Sequence, residues 1–193
     1  MSRLSRCVLP GAVAAAALVA APRARAQVAP VNPFSFGVSA GAAIPTGDAA
    51  DDLSTGYSVD GIIGVRAPTL PVSFRGEVGY TRFGFKDGDG AGFRMISGVA
   101  NVLYTFSAGP TAVVRPYVIG GVGVYNGRAV GDGFDDAESR TKVGFNGGVG
   151  LEIPLSGITG FGEVRFANVR FAQNGEDSNV NLNYIPIRFG IRF

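Results

Sequence analysis

The sequence predicts an all-β chain, with eight antiparallel strands closed into an up-and-down barrel that crosses a membrane. Three observations lead there. From Leu182 to Phe193 the residues alternate with period two: Ile185, Ile187, Phe189, Ile191 and Phe193 share one face, and Tyr184, Pro186, Arg188, Gly190 and Arg192 the other. That periodicity belongs to a strand and not to a helix. Seven earlier stretches alternate in the same way, each long enough for the roughly 9–11 residues of a tilted membrane strand. The connections between them alternate between long polar loops and shorter turns, the mark of an up-and-down barrel.

The strands follow in order. The first, Phe34 to Ile44, sets Phe34, Phe36, Val38, Ala40 and Ala42 against Ser35, Gly37, Ser39 and Gly41. The second, Tyr57 to Ala67, puts Tyr57, Val59, Ile63 and Val65 outward and Asp60 and Arg66 inward. The third, Val72 to Phe85, has Val72, Phe74, Val78 and Tyr80 out, and Arg75, Glu77 and Thr81 in. The fourth, Phe93 to Phe106, shows Ile96, Ala100, Val102, Tyr104 and Phe106 to lipid, leaving Val99 and Leu103 inward beside Ser97, Asn101 and Thr105. The fifth, Arg115 to Tyr125, is read with Tyr117, Ile119 and Tyr125 outward. The sixth, Thr141 to Ile153, opposes Val143, Phe145, Val149, Leu151 and Ile153 to Lys142, Asn146 and Glu152. The seventh, Gly160 to Phe171, opposes Val164 and Phe166 to Glu163 and Arg165; its phase slips near Asn168, where a bulge would restore it. The tyrosines (Tyr57, Tyr80, Tyr104, Tyr117, Tyr125, Tyr184) fall near strand ends, where an interfacial girdle sits.

Charged residues thus share a face with small ones, and the opposite face is apolar. A soluble barrel enclosing an apolar ligand cavity has the reverse arrangement. Residues 1–26 read as an export signal: Arg3 and Arg6, an Ala-rich run from Val8 to Ala21, then Ala24-Arg25-Ala26 as a cleavage site. The run is too short, and too broken by Pro10 and Gly11, for a spanning helix. Residues 27–193 are then the barrel domain. The signal holds four of the 17 basic residues, so the remaining chain carries 13 against 15 acids. The basic pI belongs to the precursor and gives no argument for nucleic-acid binding.

Chemistry is narrowed by what is missing. The sequence has no histidine, and its one cysteine, Cys7, lies in the signal. Ser-His and Cys-His nucleophiles and Cys/His zinc sites are therefore excluded. No cofactor motif survives its context: the glycine runs at 120–123 and 147–150 lie inside strands and precede no helix. The inward ions Arg66, Arg75, Glu77, Glu152, Glu163, Arg165, Arg188 and Arg192 fall in the half of the lumen nearer the chain termini. Buried ions must pair, so they are expected to form a salt-bridge plug, with Glu163 reaching Arg188 or Arg192 and Glu152 lying near Arg165. Eleven of the 15 acids lie in the long loops: Asp48, Asp51, Asp52, Asp87, Asp89, Asp132, Asp135, Asp136, Glu138, Glu176 and Asp177. Runs such as Asp87-Gly88-Asp89-Gly90 lack the full spacing of a calcium loop, and turn chemistry accounts for them.

The apolar alternation closing on Phe193, together with eight strands, resembles the small OmpA/OmpX-type outer-membrane β-barrels of Gram-negative bacteria, over nearly all of the chain after the signal. The resemblance implies location in the cell outer membrane. It implies a last strand (Phe189, Ile191, Phe193) read by the barrel-assembly machinery, and contact with outer-membrane lipid and lipopolysaccharide. Membrane-barrel enzymes of the lipase, acyl-modifying and protease kinds rely on histidine, which is lacking here. The function expected is non-catalytic: a structural or surface-interaction protein whose acidic loops meet a ligand. The alternative is a narrow porin-like channel, and after that a barrel enzyme.

Overall fold

The computed structural model describes residues 33–67, 70–87, 90–106, 113–131, 138–172 and 179–193. The expected signal at 1–26 lies outside them. The described residues build eight strands: β1 Phe34–Thr46, β2 Gly56–Arg66, β3 Val72–Gly84, β4 Gly92–Thr105, β5 Arg115–Val130, β6 Arg140–Pro154, β7 Thr159–Ala172 and β8 Asn179–Arg192. Each pairs antiparallel with the next, and β8 returns to β1, so the sheet is a closed barrel with no free edge. At the seam the backbone N–H groups of Phe36 and Phe193 each donate to the other's carbonyl, both at 2.9 Å. Among the described residues no helix is long and apolar enough to cross a membrane; the strands supply the apolar surface instead.

Side chains divide by parity. Phe34, Phe36 and Val38 on β1, Val78 on β3, Val143 on β6 and Phe189 on β8 are all more than two-fifths exposed. Ser39, Arg75, Glu77, Asn146 and Arg188, on the opposite parity, are buried. The fourth strand keeps its expected phase, with Val99 and Leu103 buried inside.

Two readings are corrected. On β5 the lipid-facing residues are Val118, Val122 and Val124; Tyr117, Ile119 and Tyr125 point inward and are almost fully buried. The reason lies across the sheet. Tyr117 pairs with Gly150 on β6, and the absent Cβ of Gly150 leaves the space that the Tyr117 ring fills. Three of the six tyrosines, Tyr117, Tyr125 and Tyr184, are therefore lumen residues and not a girdle. On β7 the register against β6 runs unbroken from Val169 to Thr159, so there is no bulge at Asn168. Val169 lies inward because the lumen is apolar at that height.

The turn from β6 to β7 is tight: the Leu155 N–H donates to Ile158 O at 2.8 Å, and Gly157 has φ 86°, a conformation glycine adopts without strain. The β1–β2 connection, read as a long polar loop, contains a short helix, α1 (Ala49–Asp52). Beyond it the chain bonds to the end of β3, with Ser54 N–H donating to Gly84 O and Lys86 N–H to Asp52 O, and Leu53 bridging Phe85. This folds Leu53 onto a buried cluster that includes Phe83, Met95, Tyr125, Val169 and Tyr184, with Phe83 and Tyr184 edge to face at 5.6 Å. The lumen is therefore apolar toward the loops, where a polar interior was expected.

The face assignment of β5 is testable. Val122→Arg, near the middle of the apolar band, should cost about 2–4 kcal/mol in lipid-reconstituted unfolding; an inward-facing Val122 would not show that depth dependence when the charge is moved to Val118 or Val124.

Candidate functional site

The chemistry of the lumen sits on the terminal side of the apolar cluster. Strand β3 carries Arg75-Gly76-Glu77 and β7 carries Glu163-Val164-Arg165, two residues apart in each case and so on one face. In eight-strand order β3 and β7 face each other across the barrel, and both run away from the termini. The reversed charge order makes them complementary. Arg75 Nη1 donates to Glu163 Oε2 at 2.8 Å. Arg165 grips Glu77 through both nitrogens, Nη1 to Oε2 at 2.9 Å and Nη2 to Oε1 at 2.5 Å, and also reaches Glu163. Such two-pronged guanidinium–carboxylate pairing is the strong form of ionic hydrogen bond.

Two further strands complete the charged members of the layer. Arg188 on β8 lies 3.2 Å from Glu77 and 3.3 Å from Asp60 of β2. Asp60 also accepts from Ser39 Oγ at 3.2 Å. Tyr117 Oη donates to Glu163 Oε2 at 2.7 Å, and Asn146 donates to Asn101 at 3.0 Å. Three acids (Asp60, Glu77, Glu163) thus meet three arginines (Arg75, Arg165, Arg188), and all six are buried. The Nε and Nη2 atoms of Arg75 have no hydrogen-bond acceptor among the described residues. Its charge lies instead over the rings of Tyr117 and Phe161, at 5.6 and 5.0 Å. Phe161 also lies under Arg192, whose partner is Glu152.

Seven of the eight residues picked from the sequence lie in this layer or just below it, but with other partners. Glu163 and Arg188 sit opposite in register on β7 and β8, yet the oxygens of Glu163 are occupied by Arg75, Arg165 and Tyr117, and Arg188 turns to Glu77 and Asp60. Glu152 pairs with Arg192 and not with Arg165. Arg66 is exposed at the terminal mouth, beside Arg115 and Glu152. Asp60, Tyr117, Asn101 and Asn146 belong to the layer and were not named with it. Arg-x-Glu on one strand and Glu-x-Arg four strands on was the signal for the cross-lumen pairing. Among the described residues no group of three His, Cys, Asp or Glu side chains converges to hold a metal ion. The loop acids Asp89, Asp132, Asp135, Asp136, Glu176 and Asp177 lie outside the described residues.

A family model described as outer membrane protein beta-barrel domain matches residues 11–193. No curated protein sequence matches the chain. Among solved structures, Neisserial surface protein A is similar at 18% identity with TM-score 0.64, over 83% of this chain and 96% of that one. A major outer membrane protein of Thermus thermophilus aligns at 18% identity and TM-score 0.51, over 83% and 98% of the two chains. OprG of Pseudomonas aeruginosa aligns at 12% and 0.54, over 82% and 95%. At such identities these likenesses establish the eight-stranded barrel fold and nothing finer.

Removing one partner from the layer should be costly. Glu163→Gln leaves Arg75 and Arg165 short of a counter-charge and should destabilise the barrel by about 3–5 kcal/mol in urea unfolding from lipid vesicles. Tyr117→Phe, which deletes only the hydroxyl donated to that carboxylate, should cost about 1.5–3 kcal/mol.

Proposed function

The chain belongs to the outer membrane protein beta-barrel domain family and its place is the cell outer membrane, and on that premise we propose a non-catalytic surface-interaction barrel with a closed lumen and an acidic loop end as its contact surface. The observation that carries this reading is the charge-neutral layer spanning β2, β3, β7 and β8, with the apolar cluster stacked on its loop side. An eight-stranded interior is just wide enough for side chains to fill. We read two chemically different layers in series as an obstacle to a continuous polar path.

The same layer argues against catalysis. Asp60, Glu77, Glu152 and Glu163 are each held by arginine, so none stands ready as a general acid or base. The described loop acids, Asp48, Asp51, Asp52, Asp87 and Glu138, make the loop end a surface for a basic partner or a divalent cation bridging to lipopolysaccharide. The name of the similar Neisserial surface protein A is in keeping with a role at the cell surface. Phe189 and Ile191, outward on β8, and Phe193 just after it, exposed too, are the residues we assign to the assembly machinery.

Planar-bilayer recording separates this from the runner-up, a narrow channel. The folded barrel should give small or no conductance; a steady large conductance would mean that the two layers open. A pull-down from envelope extracts with intact loops against loop-trimmed barrel should lose its partner on trimming.

A further inference from the structure

The terminal mouth of the barrel carries more positive charge than its own carboxylates balance. Above it the ionic layer is neutral, three acids against three arginines, and just below that layer Glu152 pairs with Arg192. Two arginines on inward parity are left over, Arg66 at the end of β2 and Arg115 at the start of β5. Neither has an ion pair among the described residues. Arg115 stands opposite Glu152 in register, yet that carboxylate is taken by Arg192 of β8. The turns at this end, 67–71, 106–114 and 155–158, contain no Asp or Glu, so their sequences offer no further counter-charge.

The two arginines converge. They line one cavity of about 90 Å³ at the mouth, together with Ser73, Thr105 and Glu152. The sheet explains why. Register sets Ser73 of β3 opposite Arg66, and Thr105 of β4 opposite Tyr117, which lies two residues along from Arg115 on the same face of β5. The Thr105 N–H donates to Pro71 O at 3.0 Å, bringing the β2–β3 turn against the end of β4. Like charges facing one small cavity repel, and an anion between them turns the repulsion into attraction. The volume has room for a few waters or one small oxyanion, and not for a sugar or a peptide. The charge left over is two, and a phosphate monoester approaches two negative charges near neutral pH. Guanidinium forks match phosphate oxygens, and Ser73 and Thr105 bring hydroxyls, further donors for such oxygens.

We infer that Arg66 and Arg115, with Ser73 and Thr105, form a binding site for the phosphate group of a small solute in the water on the terminal side, inorganic phosphate being the simplest case. Glu152 lines the same cavity, but Arg192 neutralises it. A lipid headgroup is the wrong source. Both arginines are on inward parity, and a headgroup tethered by its acyl chains lies outside the wall. The site goes beyond the surface role given above: it opens at the end opposite the acidic loops.

The test titrates inorganic phosphate into the folded full-length barrel, in maltoside micelles and a phosphate-free buffer at low salt, read by calorimetry. Wild type should bind phosphate saturably at millimolar concentration or below. Arg66→Gln and Arg115→Gln should each weaken binding by about tenfold, the worth of one charge-assisted hydrogen bond. Arg170→Gln, on the outward face at the loop end of β7, should leave it unchanged. Neither mouth arginine has an ion pair to lose, so both variants should fold, which heat-modifiable gel mobility reports; if one does not, the other carries the comparison. Absence of saturable heat at millimolar phosphate, wild-type binding by the folded variants, or displacement of phosphate by phosphatidylglycerol added to the micelles overturns the assignment. Neither the loops nor conductance enters this measurement, so its failure leaves the surface role standing, and a failed loop pull-down leaves the phosphate site standing.

Discussion

Each carboxylate in the lumen lies against guanidinium, and the arrangement of the strands around that pairing follows from the cost of a charge that finds no partner. The outer face is occupied by lipid-facing residues, so an inward ion must find its partner within the lumen, on its own strand, on a near one or on the opposite wall. Arg75 and Glu77 on β3 find Glu163 and Arg165 on β7. They can do so only because the two strands lie opposite each other, run the same way and hold the two motifs at the same height. A buried ion pair is no guarantee of extra stability over well-packed apolar residues. Here it acts on register. A slip of one residue turns every side chain to the other face, and would carry two arginines and two glutamates into hydrocarbon.

The apolar cluster toward the loops answers a different need. Phe83, Met95, Val169 and Tyr184 sit on inward parity, beside the Val99 that the sequence already placed there. Their presence means that alternation is not a uniform code along a strand: inward positions hold the ionic layer on one side and a larger apolar cluster toward the loops, with a smaller apolar group, Leu103, Tyr117 and Ile119, on the terminal side. The lumen is consequently filled by two materials. The ionic layer imposes directional order, and the greasy layer fills volume and takes Leu53 from the β1–β2 connection.

This division explains how much could be read beforehand. The strands, their number, the closure and the outward faces of β1–β4, β6 and β8 were legible, because lipid contact imposes a long repeating pattern. The face of β5 was not. Its outward positions include Gly120, and its largest side chains, Tyr117 and Tyr125, point the other way, so size misled. The members of the ionic layer were legible from parity and chemistry, but not their partners. Sequence neighbours suggested adjacent-strand pairs, whereas long side chains in a narrow lumen reach across it. Arg66 shares inward parity with Arg75 yet sits at the end of β2, where water already solvates it.

The seam has a consequence for how such a barrel comes into being. β1 is the first strand made, and its second partner is β8, the last. Until β8 exists, β1 offers one side of its backbone to any other extended chain, and the nascent sheet is a template for aggregation as much as for closure. Contacts so distant along the chain form slowly. The outer edge of β1 thus stays unpaired until the last strand is in place; only the meeting of Phe36 with Phe193 ends that exposure.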